Sequence, residues 1–568
     1  MARASRKWDG PRVPPAAADG MQLNCCRNPL CDNYAIPPIS DRKERQTSTD
    51  GYRIIGTTAG HKAAMPALQC QRCQTSVLLI SNRAVTEERD RLLVLGAPIG
   101  NQAACKNSGC ANHVKGVKDH PDGYQRFGKT AIGSPRYRCR TCGSTVSEPK
   151  GGTHRLRRPE KTLEIFRGLI NKVAMRRLCE LADVGAETLY QRIELIHDRC
   201  RALAAEHEAE LMAGRLRRER MHIALDRQDH ILNSGTSHDR RPSLLLSTAS
   251  AEAHTGYILA QHLNFDPNAD PFALELDARE AGDPDRPPAF RKHGRLWLPY
   301  ERLETRDPAT ESEQSADKQF RPASRGAQVH DSIALAAHLQ IIERMTRGAD
   351  YLQLSLDREP GIERLSLLTF QNRMRAGSVD AFLVRINKAM TQAMKRTALA
   401  EAERQLAEAR TKHPSLSDVQ VLLAVIERDY VRALRYVPAP RDRWISHPYP
   451  TMSEPERAVL CLTDDGDRPR AQVVSGFARA SLRSIDRYFM QVRRKIHVLE
   501  RPIATSSASF RRWYGYSAYS ALVVMRLLEI FRVVYNYHLT GKQSTTPAQR
   551  LGLAARPYSL AELVGMAG

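Results

Sequence analysis

The feature that most constrains the fold of this 568-residue chain is a cysteine pattern that occurs twice near its start. Each copy consists of C-x4-C, a spacer and C-x2-C, and the neighbouring text repeats too, since CRNPLCDN matches CKNSGCAN and LQCQRCQTSV matches YRCRTCGSTV. The two copies comprise Cys26, Cys31, Cys70 and Cys73, and then Cys105, Cys110, Cys139 and Cys142. The chain therefore contains an internal repeat with metal-ligand spacing.

Four thiolates from two short knuckles suit a tetrahedral structural Zn²⁺ site, and the reducing interior of a cell disfavours disulfides. The sequence therefore predicts two zinc ribbons, at residues 21–82 and 98–150. Disulfide or redox pairs within each set are the alternative. Cys25 could replace Cys26 as a ligand, because spacing alone does not decide between two neighbours.

The charge of the chain favours a polyanionic partner. Its 86 Lys and Arg exceed its 63 Asp and Glu, which gives a formal net charge of +23. Basic side chains on a nucleic acid release condensed counterions, although DNA, RNA and an anionic membrane surface would all fit such a charge. The second ribbon contributes to this excess through Lys115, Lys118, Arg126 and Lys129.

The chain has no run of about 18 apolar residues that would span a bilayer. Residues 1–20 are rich in Pro, Ala and Arg and lack the apolar core of a secretion signal. We therefore expect a soluble, cytoplasmic protein without a membrane partner, in which residues 1–20 form a disordered tail.

Residues 155–202 have the layout of a helix-turn-helix. VAMRRLCELADVGAETLYQRIELIHDRC predicts a helix, a tight turn, and a second helix lined by Leu189, Ile193 and Ile196. A helix that enters a major groove presents exposed polar side chains to the bases and phosphates. The candidates for DNA contact on the second helix are Glu187, Thr188, Tyr190, Gln191 and Arg192. A generic helical hairpin is the alternative interpretation.

Two short apolar runs each end in an acidic residue. In MHIALDRQ, apolar residues alternate with polar or small ones as in a strand, and Asp226 follows them. In YLQLSLDREPG, alternating leucines end at Asp357 before a Pro-Gly turn. A carboxylate at the end of a buried strand costs free energy unless it is paired or binds a cation. Asp226 and Asp357 are therefore candidate metal ligands.

A basic helix supplies a third acid. LRSIDRYFMQVRRKIHVLER, at residues 482–501, places Asp486 beside an apolar face. Arg493, Arg494 and Lys495 leave the rest of its surface basic, and they are further candidates for DNA contact. Such a helix would pack against a sheet on one side and face phosphates on the other.

The order of the predicted elements indicates a fold class. Strands at residues 243–250 and 254–263 follow the Asp226 strand, and a helix at 332–347 precedes the Asp357 strand. Strand–strand–strand–helix–strand, with acids on the first and fourth strands and on a later helix, is the plan of the RNase H-like fold. We therefore predict a multidomain α+β protein with two zinc ribbons, a helix-turn-helix and an RNase H-like α/β catalytic domain.

The predicted catalytic domain spans residues 218–545 and contains two insertions. Residues 266–327 are dominated by Asp, Pro, Arg, Glu and Ser, which predicts a long, partly disordered loop. Residues 362–445 are charged and helical in pattern, which predicts a helical insertion. Residues 546–568 would form a C-terminal tail.

Three of these segments resemble parts of the DDE transposases of bacterial insertion sequences, including the kind with an N-terminal zinc ribbon and helix-turn-helix. ALDRQ resembles the family's first-Asp strand, LSLDREPG its second-Asp strand and turn, and SIDRYFMQVRRKIHVLERPIATS its third-acid helix. VYNYHLTGKQSTTPAQRLGL resembles the ending common in these proteins. The similarity covers most of the chain outside residues 266–327 and 362–445.

The resemblance implies a DNA transposase in which Asp226, Asp357 and Asp486 hold two Mg²⁺ (or Mn²⁺) ions roughly 4 Å apart. One ion would activate a water or a 3′-hydroxyl, and the other would stabilise the leaving oxygen during strand cleavage and strand transfer. It further implies double-stranded DNA as the partner, both transposon ends and target, and a homo-oligomer assembled on DNA at the bacterial nucleoid.

The third acid departs from the family pattern, which usually has Glu where this chain has Asp486. Asp is one methylene shorter, so a cation held by Asp486 must lie closer to the helix or be bound through water. A catalytically inactive, transposase-derived DNA-binding regulator is the alternative function. A nuclease that hydrolyses DNA without joining it is a third.

Overall fold

The structure is a computed structural model that describes residues 10–41, 50–57, 65–96, 103–107, 109–113, 115–117, 120–131, 133–148, 156, 158–233, 242–304, 325–387, 389–464, 466, 468–500, 503–504, 512–513, 518–541 and 543–566. The chain divides into two compact units. The first comprises Met1–Leu92, Glu210–Gln491 and Arg501–Leu522, and the second comprises Leu93–Ala209, Val492–Glu500 and Val523–Gly568.

The duplicated cysteine sequence forms two copies of one small antiparallel sheet. The strands of the first copy are β1 (Tyr52–Thr57), β2 (Met65–Cys70) and β3 (Ser76–Leu78), and helix α1 (Asn82–Gly96) follows them. The strands of the second copy are β4 (Tyr124–Lys129), β5 (Pro135–Cys139) and β6 (Thr145–Ser147). Both sheets keep their strands in chain order. Tyr52 pairs with Cys70 in one sheet as Tyr124 pairs with Cys139 in the other, so the sequence repeat is also a structural repeat.

The segment before the first copy packs against it. The Asn82 amide donates hydrogen bonds to the carbonyls of Pro15 and Ala16, at 3.3 and 2.8 Å, and the Gln22 amide donates to the same Pro15 carbonyl at 2.9 Å. Each of these carbonyls gains a partner that a disordered chain would not give it. The prediction of a disordered tail is therefore wrong for this part of residues 1–20, and residues 1–9 lie outside the described residues.

Three helices follow the second copy: α2 (Glu160–Leu169), α3 (Met175–Ala182) and α4 (Ala186–His207), with a short α5 (Ala209–Met212) after them. α3 ends where Asp183 adopts a left-handed φ of 50°, and α4 begins directly after Gly185. Leu178, Leu189 and Ile193 are buried between the helices. The predicted helix–turn–helix layout is confirmed.

The largest sheet belongs to the first unit and has seven strands: β7 (Arg218–Leu232), β8 (Ser243–Glu252), β9 (Ile258–Leu263), β12 (Ala349–Asp357), β13 (Val379–Ile386), β14 (Ile445–Ser446) and β15 (Arg457–Cys461). Their order in the sheet is β14-β15-β13-β12-β7-β8-β9. β10 (Phe265–Asp266) and β11 (Ala327–Gln328) form a separate pair. β7, β12 and β13 are parallel, and β8, β9 and β15 run antiparallel to their neighbours. The three predicted strands before the helix and the Asp357 strand after it are confirmed.

The helices of this unit surround and extend the sheet. They are α6 (Pro271–Glu280), α7 (Pro299–Glu304), α8 (Asp331–Met345), α9 (Pro360–Thr369), α10 (Gln371–Arg375), α11 (Gln392–Lys412), α12 (Asp418–Tyr436) and α13 (Arg470–Arg479). α8 contacts β8 and β9, and its residues Ile333, Leu335 and Ile342 are buried. α14 (Arg483–Lys495) comes next, and its last turn belongs to the second unit.

Two longer strands of this sheet, β13 and β15, were missed in the sequence, as was the short β14. β13 lies inside the range predicted to be a helical insertion, 362–445, and β15 lies just after it. Both are buried throughout most of their length, because strands inside a parallel or mixed sheet are covered on two faces and lose the alternation that marks a strand. The helical insertion is therefore limited to α11 and α12.

Residues 266–304 are ordered, in contrast to the predicted loop. Asp283 is fully buried and accepts hydrogen bonds from the backbone of Lys292 and His293 at 2.7 and 2.8 Å. Asp277 accepts from the side chains of the same two residues at 2.8 and 2.6 Å. Order here comes from paired polar groups, which hydrophobic periodicity does not reveal. Residues 305–324 of the predicted loop lie outside the described residues.

The second unit is completed by most of α15 (Ala521–Tyr537) and by α16 (Pro547–Leu551) and α17 (Leu560–Leu563). Strands β16 (Ile503–Ala504) and β17 (Arg512–Trp513) precede these helices in the chain and belong to the first unit. The Arg532 guanidinium forms a buried ion pair with Glu208 at 2.6 Å and a second ion pair with Glu529 at 2.9 Å. Leu551 and Leu563 are buried, so residues 546–566 are a packed part of this unit instead of a free tail. Among the described helices, none has both the length and the hydropathy needed to cross a membrane.

Candidate functional site

The first cysteine set converges on one point. The sulfur atoms of Cys26 and Cys73 lie 3.5 Å apart and those of Cys31 and Cys70 lie 3.9 Å apart. All four lie within 4.8 Å of one another. A tetrahedral zinc ion with Zn–S bonds of about 2.3 Å separates its sulfurs by about 3.8 Å. The four thiols therefore fit a zinc ion.

The neighbouring Cys25 does not belong to this set. Its sulfur lies 3.4 Å from the carbonyl oxygen of Gln22, a hydrogen-bond acceptor. Burial raises the pKa of the Cys25 thiol to about 12, and the side chain of Gln371 lowers that pKa only in part. The geometry therefore selects Cys26 from the two candidates that spacing left open.

The second set repeats the geometry of the first. The sulfurs of Cys105 and Cys142 lie 3.4 Å apart, those of Cys110 and Cys139 lie 3.7 Å apart, and all four are within 4.8 Å of one another. Among the described residues, these two sets are the groups of three or more potential ligands that meet this distance criterion. Two sites that could hold structural zinc are thus present.

The groups around the sulfurs also repeat. The Tyr52 hydroxyl accepts from the Cys26 backbone at 3.0 Å and donates to the Ile36 carbonyl at 2.7 Å. The Tyr124 hydroxyl occupies the same place, accepting from Cys105 at 2.8 Å and donating to the Lys115 carbonyl at 2.6 Å. Such second-shell partners fix the orientation of metal ligands.

Two asparagines complete the resemblance between the sites. The Asn33 amide lies 3.7 Å from the sulfur of Cys70, and the Asn112 amide lies 3.5 Å from that of Cys139. The backbone N–H of each asparagine also donates at 3.4 Å to the sulfur two residues earlier. N–H donors directed at sulfur stabilise the thiolate form that binds zinc.

Each set contains thiols with a lowered pKa and thiols with a raised pKa. Burial raises the pKa of Cys73, but hydrogen bonds with Thr75, Cys26 and Cys31 together outweigh burial and bring it to about 6. The Ser144 side chain and backbone lower the pKa of Cys142 to about 6. Burial raises the pKa of Cys31 to about 11 and that of Cys105 to about 12. Binding of a cation to such a set would release the protons of the weakly acidic thiols.

The first two predicted acids lie side by side at one edge of the seven-stranded sheet. Leu225 of β7 pairs with Leu356 of the parallel strand β12, so Asp226 and Asp357 occupy the next position on each strand. Neighbouring strands are about 4.8 Å apart. Each carboxylate accepts a hydrogen bond from the following backbone N–H, at 2.7 Å for Asp226 and 2.9 Å for Asp357. The backbone around the two acids therefore has the same local geometry. Asp357 ends its strand as predicted, but the prediction for Asp226 is wrong because β7 continues to Leu232 through its pairing with β8.

α14 packs on the face of the sheet to which Asp226 points. Asp226 pairs with Ala249 of β8, which pairs with Gln261 of β9. Paired residues of antiparallel strands point to the same face, and the Tyr488 hydroxyl of α14 donates to the Gln261 side chain at 2.5 Å. The contact joins two buried side chains, because Tyr488 is fully buried and Gln261 is 8% exposed.

Asp486 lies in the first turn of α14 and is half-buried. It is two residues before Tyr488, or about 200° around the helix, and so lies on the flank away from Gln261. The carboxylates of Asp226, Asp357 and Asp486 do not form a described group with all ligand oxygens within 4.8 Å. A site for two cations roughly 4 Å apart holds its outermost ligands further from one another than a site for one cation does, so the three carboxylates need not lie within 4.8 Å.

A tryptophan and two arginines lie at the same edge as Asp357, and sequence reasoning missed them. The guanidinium of Arg358 lies 5.9 Å from the centre of the Trp444 ring, and that of Arg385 lies 4.7 Å from it. Arg385 follows Val384, the partner of Asp357 on β13. Both arginines are exposed and Trp444 is half-buried. Trp444 occurs in a Pro-rich segment far along the chain, so no local pattern connects it with Asp357.

The helix α4 presents most of the residues predicted to contact DNA. Glu187 and Gln191 are exposed, Tyr190 is 42% exposed and Thr188 is half-buried. Arg192 was predicted to be exposed, and this prediction is wrong because its side chain is 8% exposed. It lies three residues after Leu189 on the buried face of the helix, where the aliphatic part of the Arg192 side chain packs inward.

The basic end of α14 is partly exposed. Arg494 is exposed, whereas Arg493 and Lys495 are half-buried. The backbone carbonyl of Lys495 accepts a hydrogen bond from the backbone of Lys172 at 2.9 Å. Among these three residues, Arg494 therefore offers the most accessible positive charge.

The comparisons with known proteins identify no relative of this chain. No protein-family model matches it, and neither the curated proteins nor the solved structures yield a match.

Proposed function

We propose that this protein is a DNA transposase that cleaves DNA strands and transfers them by a DDD, two-metal mechanism. The observation that supports it most is the register of β7 and β12, which sets Asp226 and Asp357 side by side while α14 packs on the Asp226 face. Two acids from distant parts of the chain that meet on adjacent strands favour a shared cation, because neighbouring carboxylates repel one another and a cation removes that repulsion.

The strand order supports an RNase H-like fold for this part of the chain. β9, β8, β7, β12 and β13 are neighbours in that order, with the Asp226 strand in the middle. The elements also follow one another as strand, strand, strand, helix and strand, with the acids on the first and fourth strands. This is the plan on which the predicted catalytic domain was based.

Asp226, Asp357 and Asp486 would hold the cations, since carboxylate oxygens are the ligands that Mg²⁺ and Mn²⁺ prefer. Bound there, two cations supply an activated oxygen nucleophile and neutralise charge on the leaving oxygen. Arg358 and Arg385 would bind the phosphates that flank the scissile bond, because both are exposed at the same edge. Trp444 would hold the two guanidinium groups in place by stacking.

The exposed part of α4 supports duplex DNA as the partner. Glu187, Tyr190 and Gln191 lie in the first two turns of the second helix of a helix-turn-helix, where base contacts are made. The two cysteine sets would form zinc ribbons, of which at least one helps to bind the transposon ends. A homo-oligomer on paired ends and a bacterial, nucleoid-associated location belong to the same proposal.

A catalytically silent DNA-binding regulator is the second candidate, and the identity of residue 486 favours it. Asp486 is shorter than the Glu usual at the third position of DDE transposases, and it lies on the flank of α14. A carboxylate that falls short of the cations would leave DNA binding intact and remove cleavage.

The test uses DNA duplexes that end in the inverted repeats flanking the coding region, with Mg²⁺ present. We expect the wild-type protein to cleave at the repeat end and to join it to target DNA. Asp226→Ala should lower the rate on the order of 10³-fold, because the cation pair lowers the activation barrier by several kcal/mol.

Asp350→Ala is the matched control, since Asp350 is exposed near the other end of the Asp357 strand. It should cleave like the wild type. Equal cleavage by the Asp226→Ala and wild-type proteins would refute the assigned site. Cleavage without joined products would indicate a nuclease, and sequence-specific binding without cleavage would indicate the regulator.

A further inference from the structure

Each ribbon has its own three-stranded sheet of the same design, but the two sheets differ on the face opposite the buried tyrosine. In the second ribbon this face contains Phe127 of β4, Arg136 and Arg138 of β5, and Ser147 of β6, which pairs with Arg136. Because Tyr52 and Tyr124 are equivalent, the register gives the equivalent residues of the first ribbon as Ile55, Ala67, Gln69 and Leu78. The first ribbon thus has an apolar face where the second has a basic one.

The apolar face of the first ribbon is covered. Ala67 is 1% exposed, and Ile55 and Leu78 are half-buried. The ribbon is fixed within its unit by Tyr34, whose hydroxyl donates to the Leu367 carbonyl at 2.7 Å. A surface that is already occupied by the protein itself has little left for a ligand.

The first ribbon has further polar attachments to the same helical region. Arg375 donates to the Tyr34 carbonyl at 3.1 Å, and Gln371 donates to the Gln22 carbonyl at 2.9 Å. In the second ribbon, His113 takes the position of Tyr34, because each forms the isolated bridge with the first cysteine of its set. The hydroxyl that anchors the first ribbon is therefore missing from the second.

The basic face of the second ribbon is open and organised. Phe127 is 45% exposed, and the guanidinium carbons of Arg136 and Arg138 lie 5.6 and 5.8 Å from the centre of its ring. Stacking on an aromatic ring restricts the rotamers of a guanidinium while its N–H groups stay free to donate. Among the described residues, neither arginine has an acidic partner within 4.0 Å. Two ordered, unneutralised guanidinium groups on a flat face suit an anionic backbone.

We propose that the face formed by Phe127, Arg136 and Arg138 binds the phosphate backbone of duplex DNA, and that the first ribbon does not bind DNA. Because DNA is taken as the ligand, this surface rests on the proposed function. Its role is positioning, since phosphate contacts set register and orientation but contain no sequence information. The duplicated ribbons would thus have diverged into one that stabilises the protein and one that holds DNA.

The test measures how DNA affinity depends on salt, with zinc-loaded full-length protein, a mixed-sequence duplex and no added Mg²⁺. For duplex DNA the slope of log K against log salt is about −0.9 for each neutralised phosphate. Arg136→Gln/Arg138→Gln should therefore make the slope less steep by about 1.8, and its preference for the transposon end over mixed sequence should be unchanged.

Two further variants make the result specific. Arg53→Gln/Arg72→Gln removes two exposed arginines from the first ribbon and should leave the slope as in the wild type. Arg136→Lys/Arg138→Lys keeps both charges and should retain the wild-type slope, provided that zinc content is unchanged. This second variant also separates a loss of contacts from a loss of folding.

An unchanged slope in the Arg136→Gln/Arg138→Gln variant, or an equal change in the first-ribbon variant, would overturn the proposal. So would binding to phosphatidylserine vesicles that depends on Arg136 and Arg138 while DNA binding does not. If the wild-type protein binds no duplex, the proposed function fails together with this surface. If it binds duplex but does not cleave with Mg²⁺, only the catalytic proposal fails.

Discussion

The cysteine sets differ in how their ligands are brought together from the place on the seven-stranded sheet where Asp226 and Asp357 lie, which is called the acidic edge below. Cys26 and Cys73 are 47 residues apart in the chain, and one small sheet brings their sulfurs within 3.5 Å. Asp226 and Asp357 lie on strands that are separated in the chain by the four strands β8–β11 and by helices α6–α8. The third acid is on a helix that begins far later. The first kind of site is closed by local structure, whereas the second depends on the register of a whole domain.

This difference determines how each site tolerates change. The cysteine sets have sulfur atoms at tetrahedral spacing and surrounding donors that occur twice in the same arrangement. At the acidic edge, strand register fixes the positions of Asp226 and Asp357, but the position of Asp486 depends on how α14 packs on the sheet. Loss of a ligand should therefore destroy the first kind of site and weaken the second by degrees.

The largest expected effect comes from the cysteine sets. Cys26→Ser should lower zinc content from two ions per chain to one and expose β1–β3 to protease, because ribbon folding is coupled to zinc binding worth about 10–16 kcal/mol in small peptides. The measurement is metal analysis of purified protein together with limited proteolysis.

Cys25→Ser is the matched control, since the neighbouring thiol is equally buried but bonds to the Gln22 carbonyl. It should keep both zinc ions. If Cys25→Ser loses zinc and Cys26→Ser does not, the assignment of the ligand is reversed. If neither variant loses zinc, the set does not hold the metal.

The acidic edge should respond less, and in the opposite direction, when its third ligand is lengthened. Asp486→Glu restores the methylene that the DDE pattern contains, and we expect it to increase DNA cleavage about tenfold, which corresponds to about 1.4 kcal/mol of barrier. Cleavage rates with Mg²⁺ and the inverted-repeat duplex provide the measurement.

Asp350→Glu makes the same chemical change on the exposed, distant end of β12 and should have no effect. A decrease in cleavage by Asp486→Glu would show that the site is built for the shorter acid. Absence of cleavage in both the wild type and the Asp486→Glu variant would favour the DNA-binding regulator.

The same contrast explains how much could be predicted from the sequence. The cysteine sets were found from spacing because their ligands are local, and the strands that contain Asp226 and Asp357 were found from alternation next to one polar residue. The end of β7 was placed too early, because its continuation after Asp226 contains polar residues. β13 was missed because a strand buried on both faces has no alternation. Trp444 was missed because its relation to Asp357 exists only through sheet register. The order of residues 266–304 was missed because buried carboxylates such as Asp283 stabilise it in place of an apolar stripe.

The smallest expected effect tests whether the packing of α14 on the sheet affects cleavage at the acidic edge. Tyr488→Phe removes the hydroxyl that donates to Gln261 and leaves a buried acceptor, which should lower the free energy of unfolding by about 1–3 kcal/mol. If this bond holds α14 over Asp226, cleavage should fall as well. Chemical denaturation and cleavage assays measure the two effects separately.

Tyr351→Phe distinguishes a loss of stability from a loss of position. The Tyr351 hydroxyl donates to Asp380 at 2.9 Å, near the start of β12 and β13 and so away from Asp226 and Asp357. It should lower stability by a similar amount and leave cleavage unchanged. Tyr488→Phe combined with Gln261→Leu should recover part of the stability, because it removes both partners of this bond, and Ser247, which loses the Gln261 amide, keeps its bond to His230. It should not recover cleavage if the bond sets the position of Asp486. Equal activity in all three variants would mean that the apolar face of α14 alone positions the third acid, and the acidic edge would then be as rigid as the cysteine sets.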